Sequence, residues 1–256
     1  MMVIDPRIAA VSYLNTIPFL YGVEHEGNLR ADLSLSDPTS CIQDFAEHRA
    51  DIALVPAAAV PMLPDAQLIT TYCVGALTAS RLALLVSHDP IAEVRRVFLG
   101  DSTSTAAQLA AYLLQKHWKI NPEYIVLEGH ARRLEAQRGD AFLVTDDDVF
   151  EFEGAFPYVY DLSAEWAKAT RMPFAFAVWV AHKQTDPELI EAVQQAFTFG
   201  LERSYEALLD SGLDTECEEA YAYLSQIDYI FDHQKYKALH KFWDSGIKVS
   251  PRANPG

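Results

Sequence analysis

Residues 97–105 combine an apolar run with side chains that can donate hydrogen bonds. The run 97–99 indicates the end of a strand, Gly100 follows it, and the turn is completed by Asp101, Ser102, Thr103, Ser104 and Thr105. Residues 106–114 are rich in alanine and leucine, which favours a helix. The first amides of a helix have no partner within it and lie at the positive end of its dipole. This turn is therefore a candidate site for a carboxylate or phosphate.

The same turn has a second interpretation, in which the helix is capped by its own side chains. Thr105 and Gln108 have the spacing of a capping box, which would satisfy two of the free amides internally. Both interpretations stay open at this point.

A similar arrangement occurs near the start of the chain. Residues 7–11 are a strand candidate, and Ser12, Asn15 and Thr16 follow before Pro18. Cap-forming residues beside a proline are typical of a helix N-terminus. They also place polar groups at the carboxyl end of a strand, where open α/β sheets bind ligands.

These turns belong to an alternation of apolar strands and helices. Strands are predicted at 31–35, 51–55, 67–73, 94–99, 124–128 and 140–144, and helices from about 38 to 48, at 104–118 and at 131–137. This alternation predicts an α/β fold in which mainly parallel sheets are flanked by helices.

Two lobes are predicted from the placement of the most apolar runs. The runs 81–86 and 173–181 bracket a central region, and we interpret them as strands that cross between lobes. Residues 49–55 are echoed by residues 138–144, which suits two lobes of similar build. We expect lobe I to comprise 1–79 and 181–256, lobe II to comprise 80–180, and a ligand cleft to lie between them.

The segment after residue 181 changes to helical spacing. A long helix is predicted after Asp186 and Pro187, although Gly200 interrupts it, and further helices are predicted at 215–225 and 232–243.

Charge and length limit the possible partners. The 256 residues include 36 acidic and 20 basic side chains, giving a net charge of −16. This balance argues against nucleic acids and anionic membrane surfaces as partners, because both need a basic footprint. The sequence has no run of 18 apolar residues, and its first residues lack the order of a secretory leader. We expect a cytoplasmic protein; no pattern specifies its oligomeric state.

No motif points to a cofactor or a metal. The three cysteines are far apart, the eight histidines are scattered, and nucleotide-binding glycine patterns are absent. Asp146, Asp147 and Asp148 follow a strand and are expected to start a helix rather than to bind a metal, because consecutive residues cannot all face one ion. We predict neither a cofactor nor a metal site.

A few other side chains could do chemistry. Ser80 and Arg81 precede an apolar strand, where they could donate hydrogen bonds to a ligand, although a surface salt bridge is the ordinary role of an arginine. No nucleophile-elbow motif surrounds Ser80. His130 stands on a predicted turn and could act as a base. Four aromatic residues are expected to pack in the core rather than to stack on a ligand: Trp166, Phe174, Phe176 and Trp179.

Six segments in order resemble the chorismate dehydratase family of the futalosine route to menaquinone. They are 11–18, 51–56, 101–105, 139–143, 161–166 and 173–179, and the resemblance runs from about residue 7 to 245. It implies a type II periplasmic-binding-protein fold used as a cytoplasmic enzyme. The implied reaction removes water from chorismate, a small anion, to give 3-[(1-carboxyvinyl)oxy]benzoate.

The resemblance also implies site residues. Asn15 and Ser80 are implied to contact the substrate and to be catalytic, and the turn Ser102 to Thr105 is implied to hold a carboxylate. Ser12, Thr16 and Arg81 are further candidates for substrate binding. Many family members have an arginine in the turn where this chain has Ser104, so helix amides and hydroxyls would be the main anion donors here.

With this substrate assumed, the chemistry needs no cofactor. Loss of the ring C3 hydrogen and the C4 hydroxyl makes the ring aromatic, so the enzyme has to supply orientation and charge placement. Because no general base stands out, we hypothesise that the substrate's own enolpyruvyl carboxylate takes the proton. Asn15 and Ser80 would fix its geometry and hydrogen-bond the departing hydroxyl.

Three alternatives stay open. The first is a solute-binding protein, against which the missing leader and lipid-anchor cysteine argue. The second is the related 1,4-dihydroxy-6-naphthoate synthase, which acts on a larger substrate. The third is the sensing domain of a transcription regulator, which normally carries a basic DNA-binding segment.

Overall fold

The chain folds into two compact units. The computed structural model describes residues 5–127, 136–150, 152, 154–212 and 217–251. The first unit comprises Met1–Gly75 and Ala177–Asp232, and the second comprises Ala76–Phe176 and His233–Gly256. The chain therefore leaves one unit for the other after Gly75, after Phe176 and after Asp232.

The first unit is built on a five-stranded sheet. Its strands are β1 (Arg7–Ala10), β2 (Asp32–Leu35), β3 (Ile52–Pro56), β4 (Ala66–Ala76) and β10 (Phe174–His182). The strand order is β2-β1-β3-β10-β4, with β1 parallel to β2 and β3, and β10 antiparallel to β3. The helices are α1 (Ile17–His25), α2 (Pro38–Ala46), α5 (Pro187–Glu202), α6 (Ser204–Asp210) and α7 (Cys217–Leu224).

The second unit has a sheet of the same size. Its strands are β5 (Ala83–Ser87), β6 (Arg96–Leu99), β7 (Glu123–Val126), β8 (Asp140–Thr145) and β9 (Tyr158–Asp161). Their order is β7-β6-β8-β5-β9. The helices are α3 (Thr105–Tyr112), which continues as a π-helical turn Leu113–His117, α4 (Leu162–Thr170) and α8 (His233–Asp244).

The predicted α/β class with two sheets is confirmed, but both sheets are mixed rather than mainly parallel. In each sheet a strand from a distant part of the chain runs against the parallel strands. β10 does so beside β3, and β5 does so beside β8 and β9. The predicted strand at 81–86 corresponds to β5, which pairs entirely within the second unit. It is β4 that ends where the chain first changes unit.

The last helix also belongs to a different unit from the one expected. Sequence analysis placed residues 181–256 in one lobe, whereas α8 packs with the second unit. The ring of Phe242 in α8 lies 5.3 Å from the ring of Phe174 and 6.3 Å from that of Trp166, both in edge-to-face geometry. These buried aromatic contacts explain why α8 packs in the second unit, although the helices that precede it in the sequence belong to the first.

The sequence echo marks equivalent places in the two sheets. β3 and β8 are each the middle strand of five, parallel to the second strand of the sheet (β1 or β6) on one side and antiparallel to the fourth (β10 or β5) on the other. Asp51, just before β3, accepts hydrogen bonds from the guanidinium of Arg7 at the start of β1 (2.7 and 3.1 Å). Asp140 at the start of β8 accepts one from Arg96 at the start of β6 (2.7 Å). The two units therefore share one construction.

Helix α5 continues through Gly200 and ends at Glu202, so the glycine does not interrupt it. A Cβ on Gly200 would lie 1.8 Å from the carbonyl oxygen of Pro18, and one on Gly22 would lie 1.9 Å from that of Ala196. The two glycines thus let α1 and α5 approach closely.

The cores contain the aromatic residues expected there. Trp166, Phe174, Phe176 and Trp179 are all buried, which confirms their structural role. The predicted helix at 131–137 lies largely outside the described residues. Within the described part of the chain, no helix combines the length and apolar character needed to cross a membrane.

Candidate functional site

The turn after β1 is held by its own threonine. Thr16 is buried, and its Oγ1 lies 2.7 Å from the carbonyl oxygen of Val11 and 2.8 Å from that of Tyr13. The same oxygen accepts a hydrogen bond from the Tyr13 amide (3.2 Å). Thr16 therefore shapes the turn, while Ser12 is exposed just after the strand.

Asn15 lies at the centre of this turn with its side chain almost enclosed. The residue is 5% exposed, and its carbonyl oxygen accepts a hydrogen bond from the hydroxyl of Tyr229 (2.9 Å). Burial raises the pKa of that phenol well above its usual range, so Tyr229 remains a donor. A nearly buried asparagine that follows the carboxyl end of β1 is a candidate contact for a ligand.

The turn after β6 is occupied largely by its own polar groups. One carboxylate oxygen of Asp101 accepts hydrogen bonds from the amide and the hydroxyl of Thr103, both at 2.7 Å. Ser102 is half-buried and Thr103 is exposed. The negative charge of Asp101 therefore already uses one amide of the predicted anion-binding turn.

The cap of α3 lies one residue earlier than predicted. Ser104 is the N-cap: its hydroxyl accepts a hydrogen bond from the Ala107 amide (3.2 Å) and donates to the carbonyl of Asp101 (3.0 Å). The expected capping box of Thr105 and Gln108 is wrong, because Thr105 is the first helical residue and is buried. Gln108 donates instead to the carbonyl of Thr103 (3.0 Å). Capping and anion binding thus compete for the same donors.

Ser80 is fully buried just before β5. Its hydroxyl lies 2.8 Å from that of Ser163 and accepts a hydrogen bond from the Leu82 amide (3.3 Å). The carboxylate of Asp161 accepts the amides of Ser80 (3.0 Å), Arg81 (2.8 Å) and Ala164 (3.0 Å). The carboxylate of Asp161 therefore has two roles: it fixes the backbone at Ser80 and Arg81, and it caps α4. Asp161 and Ser163 lie in the segment 161–166 that carries part of the family resemblance, but no role was predicted for them.

Arg81 has a left-handed backbone conformation, with φ of 59°. Its guanidinium lies over the ring of Phe150, 5.3 Å from the ring centre. Phe150 ends the 3₁₀ turn Asp146–Phe150, which follows β8. This contact places the Arg81 side chain beside the end of β8.

The three consecutive aspartates form the first turn of that 3₁₀ helix, in keeping with the helix start that was predicted. The pKa of Asp146 is raised to about 6, mainly by burial and also by the charges of Asp147 and Asp148, while a hydrogen bond from Thr145 (2.8 Å) lowers it. A carboxyl group with a pKa near neutrality is suited to proton transfer. Glu151, Glu153 and His130 lie outside the described residues.

Several of these groups share one edge of the second sheet. β8 is parallel to β6 and antiparallel to β5, so the ends of β6 and β8 and the start of β5 meet at the same edge. This edge carries Ser80, Arg81, Asp146, Asp161 and the turn 101–105. Ligands of α/β sheets bind at such carboxyl edges. In the first unit, Ser12, Asn15 and Thr16 follow the equivalent strand, β1.

The sequence of the chain is similar to a known family and to a known enzyme. The model of a family described as menaquinone biosynthesis matches residues 6–247. The chorismate dehydratase of Thermus thermophilus is 26% identical over 177 residues, which are 62% of this chain and 59% of that protein. The chain thus matches about three fifths of the length of this relative.

Solved structures show the fold. A protein from Archaeoglobus fulgidus is 16% identical, with a TM-score of 0.73 over 93% of this chain and 95% of its own. A Candida albicans protein with the generic periplasmic binding protein fold is 12% identical, with a TM-score of 0.67 over 99% of both chains. The alkanesulfonate-binding protein of Xanthomonas axonopodis bound to MOPS is 14% identical, with a TM-score of 0.63 over 96% of this chain and 94% of its own. The chain has the periplasmic-binding-protein fold.

Proposed function

The chain belongs to the menaquinone-biosynthesis family, and from this premise we propose that it is a chorismate dehydratase, a carbon–oxygen lyase of the futalosine route acting in the cytoplasm. The observation that carries the proposal is the similarity to the Thermus thermophilus enzyme of that name. The fold alone is compatible with many functions, so the assignment depends on this relative and on the site residues.

The reaction breaks one C–H and one C–O bond. The proton leaves ring C3, the hydroxyl leaves C4 as water after receiving a proton, and the electrons of the C–H bond complete the aromatic ring. Aromatisation supplies the thermodynamic drive, so the protein's task is to orient the substrate and to place hydrogen-bond donors. We propose that the enolpyruvyl carboxylate of the substrate accepts the proton.

Asn15 is proposed to hold the substrate. The residue is 5% exposed, it follows the carboxyl end of β1, and its backbone carbonyl is held by the hydroxyl of Tyr229. An amide held in this way can donate to a substrate oxygen at little cost in conformational entropy. This arrangement supports a role in orienting the carboxylate that takes the proton or the hydroxyl that leaves.

Ser80 is proposed to be a second catalytic residue. Its hydroxyl lies 2.8 Å from that of Ser163, and its backbone is fixed by Asp161. When Ser163 is the donor of this pair, the hydroxyl hydrogen of Ser80 can be donated to a substrate oxygen. Arg81, Ser12 and the turn Ser102 to Thr105 are proposed as further contacts. In that turn the amides not taken by Asp101 and Ser104 would receive a carboxylate.

The proposal is tested by product analysis. EDTA-treated protein is incubated with chorismate, and the products are separated by liquid chromatography with mass detection. We expect a product lighter than chorismate by one water, formed faster than with heat-denatured protein. Chorismate that binds but is recovered unchanged would indicate a binding protein, and turnover only of a larger substrate would indicate the naphthoate synthase.

Two substitutions test the site. Asn15→Ala should lower turnover about a hundredfold, the usual loss for one donor aimed at a reacting group, and Ser80→Ala should also lower it. The matched controls are Asn121→Ala and Ser34→Ala, which change exposed residues. Near wild-type turnover in both Asn15→Ala and Ser80→Ala would refute the assigned roles.

A further inference from the structure

Three side chains distant in sequence meet in the first unit. His48 follows the end of α2, Asp65 precedes β4, and His182 is the last residue of β10. One potential ligand atom from each lies within 4.8 Å of the others. Two imidazoles and a carboxylate are a common ligand set for zinc and related divalent ions.

His182 is oriented as a metal ligand would be. Its Nε2 lies 3.2 Å from the carbonyl oxygen of Ala50, and because a carbonyl can only accept, Nε2 carries the hydrogen. Its Nδ1 lies 2.8 Å from a carboxylate oxygen of Asp65. Phe45 stacks on the ring at 4.2 Å with 7° between the planes. A metal-binding histidine characteristically donates its other ring hydrogen to a backbone carbonyl in this way.

Asp65 is held in register with His182 by the backbone. The amide of Lys183 donates to the carbonyl of Asp65 (3.0 Å), and the Lys183 ammonium donates to the carbonyl of Pro64 (2.6 Å). Two ligands are therefore fixed before any ion arrives. Such preorganisation lowers the cost of binding.

His48 is the adjustable ligand. Its ring stacks on that of His182, with 4.3 Å between centres and 25° between planes. Two stacked rings cannot both point a nitrogen lone pair at one ion, so the His48 ring has to turn. Its side chain is exposed, which leaves room for this rotation.

The surrounding charge favours a cation. Asp186 lines the same groove as the three ligands, as does Asp51, whose carboxylate is paired with Arg7, and the chain as a whole carries a net charge of −16. We propose that His48, Asp65 and His182 bind one divalent transition-metal ion, with zinc the best match, and that water completes a tetrahedral site. The inference does not depend on the proposed dehydration, which uses no metal.

Sequence analysis predicted no metal site because the ligands have no local spacing. His48 and Asp65 lie on either side of β3, and His182 is on a strand more than a hundred residues later. Only the insertion of β10 between β3 and β4 brings them together.

The test is metal binding to EDTA-treated protein. Titration with Zn²⁺ in a calorimeter, and with Co²⁺ followed by visible absorption, should show one ion per chain and a tetrahedral cobalt spectrum.

The variants separate a metal site from an ion pair. His48→Asn keeps a residue that tolerates the positive φ of 57°, and Asp65→Asn keeps the shape of the side chain. Each should weaken binding about tenfold or more, whereas His25→Asn, which changes an exposed histidine, should not. Absence of saturable binding to the wild type, or an affinity in both variants equal to that of the wild type, would show that Asp65 and His182 form an ion pair only. Chorismate turnover is measured separately and does not decide this question.

Discussion

Asp146 shows how burial at a single residue makes stability depend on pH. Its pKa in the folded protein is about 6, above the ordinary value of 3.8, mainly because of burial. Between these values the folded state binds more protons than the unfolded state, so Asp146 lowers the free energy of unfolding as the pH rises. Below about pH 4 the carboxyl is protonated in both states and the penalty vanishes.

Asp146→Asn should therefore gain stability relative to the wild type as the pH rises from about 4 to about 7. Asparagine tolerates the positive φ of 57° and can still accept the hydrogen bond from Thr145. Urea denaturation at several pH values measures the difference, with Asp244→Asn as a control for the loss of a charge on an exposed residue. A difference that stays constant with pH would contradict the prediction.

Substitution of Ser104 tests whether its main role is to cap α3. Ser104→Ala should lower the free energy of unfolding by about 1 kcal/mol, because the Ala107 amide loses its cap. Ser104→Asp retains an acceptor and should keep most of the stability. Chemical denaturation compares the two; equal losses would mean that the cap contributes nothing.

Residue roles were only partly predictable from the sequence. The polar turns after β1 and β6 were found, because small polar residues after an apolar run are a local signal. Which of Ser104 and Thr105 caps α3 was not, since both residues are good caps and the choice depends on where the strand ends. The role of Asp161 at Ser80 was also hidden, because the partners are 81 residues apart.

At the scale of elements, the close contact of α1 with α5 depends on two glycines, Gly22 and Gly200, which have no side chain. Gly200→Ala should lower the free energy of unfolding by about 3 kcal/mol, because the new methyl group would lie against the Pro18 carbonyl. Helix propensity alone predicts the opposite sign, since alanine favours helix over glycine by about 1 kcal/mol. Thermal or chemical denaturation decides between them.

Gly100→Ala is the matched control for this change. A Cβ at Gly100 meets no atom within 4 Å, so its effect should be small. A stabilised Gly200→Ala variant would show that the helices can separate without loss.

Most elements were predictable because each has its own periodicity. The strands from β1 to β8 fall where the apolar patterns place them, within a few residues. The helical spacing that was expected to continue to Gly212 is divided in the structure into α5 and α6, which meet at Arg203. β9 and α4 were not predicted as elements, since β9 is a short, partly exposed strand. The direction of β5 was also missed, because strand direction in a mixed sheet is set by tertiary pairing and not by local pattern.

At the scale of the whole molecule, the two units repeat one ion pair in different surroundings. The carboxyl side chain of Asp140 is 3% exposed, whereas that of Asp51 is 35% exposed. Loss of a partner is costly only where the remaining charge is buried.

Arg96→Met should therefore lower the free energy of unfolding by about 3 kcal/mol, and Arg7→Met by less than about 1 kcal/mol. The double change Arg96→Met with Asp140→Asn should recover part of the loss, because it removes the unpaired buried charge. Denaturation of the three variants measures these differences, and equal effects of the two single changes would contradict the argument.

The similarity of the units was visible in the sequence as the echo of residues 49–55 in residues 138–144, but the path of the chain was not. The place of α8 depends on Phe242 meeting Trp166 and Phe174. No local pattern specifies such a long-range contact.

The position of β10 sets an order of events during synthesis on the ribosome. All strands of the second sheet lie between Ala83 and Asp161, so that sheet can close as soon as Asp161 has emerged. In the first sheet, both hydrogen-bonding partners of β4 are synthesised after it. β10 comes about a hundred residues later, and Tyr229, whose carbonyl accepts the amide of Cys73, comes later still. The part of the protein made first is thus completed last, and its open strand edges are a hazard for aggregation during translation.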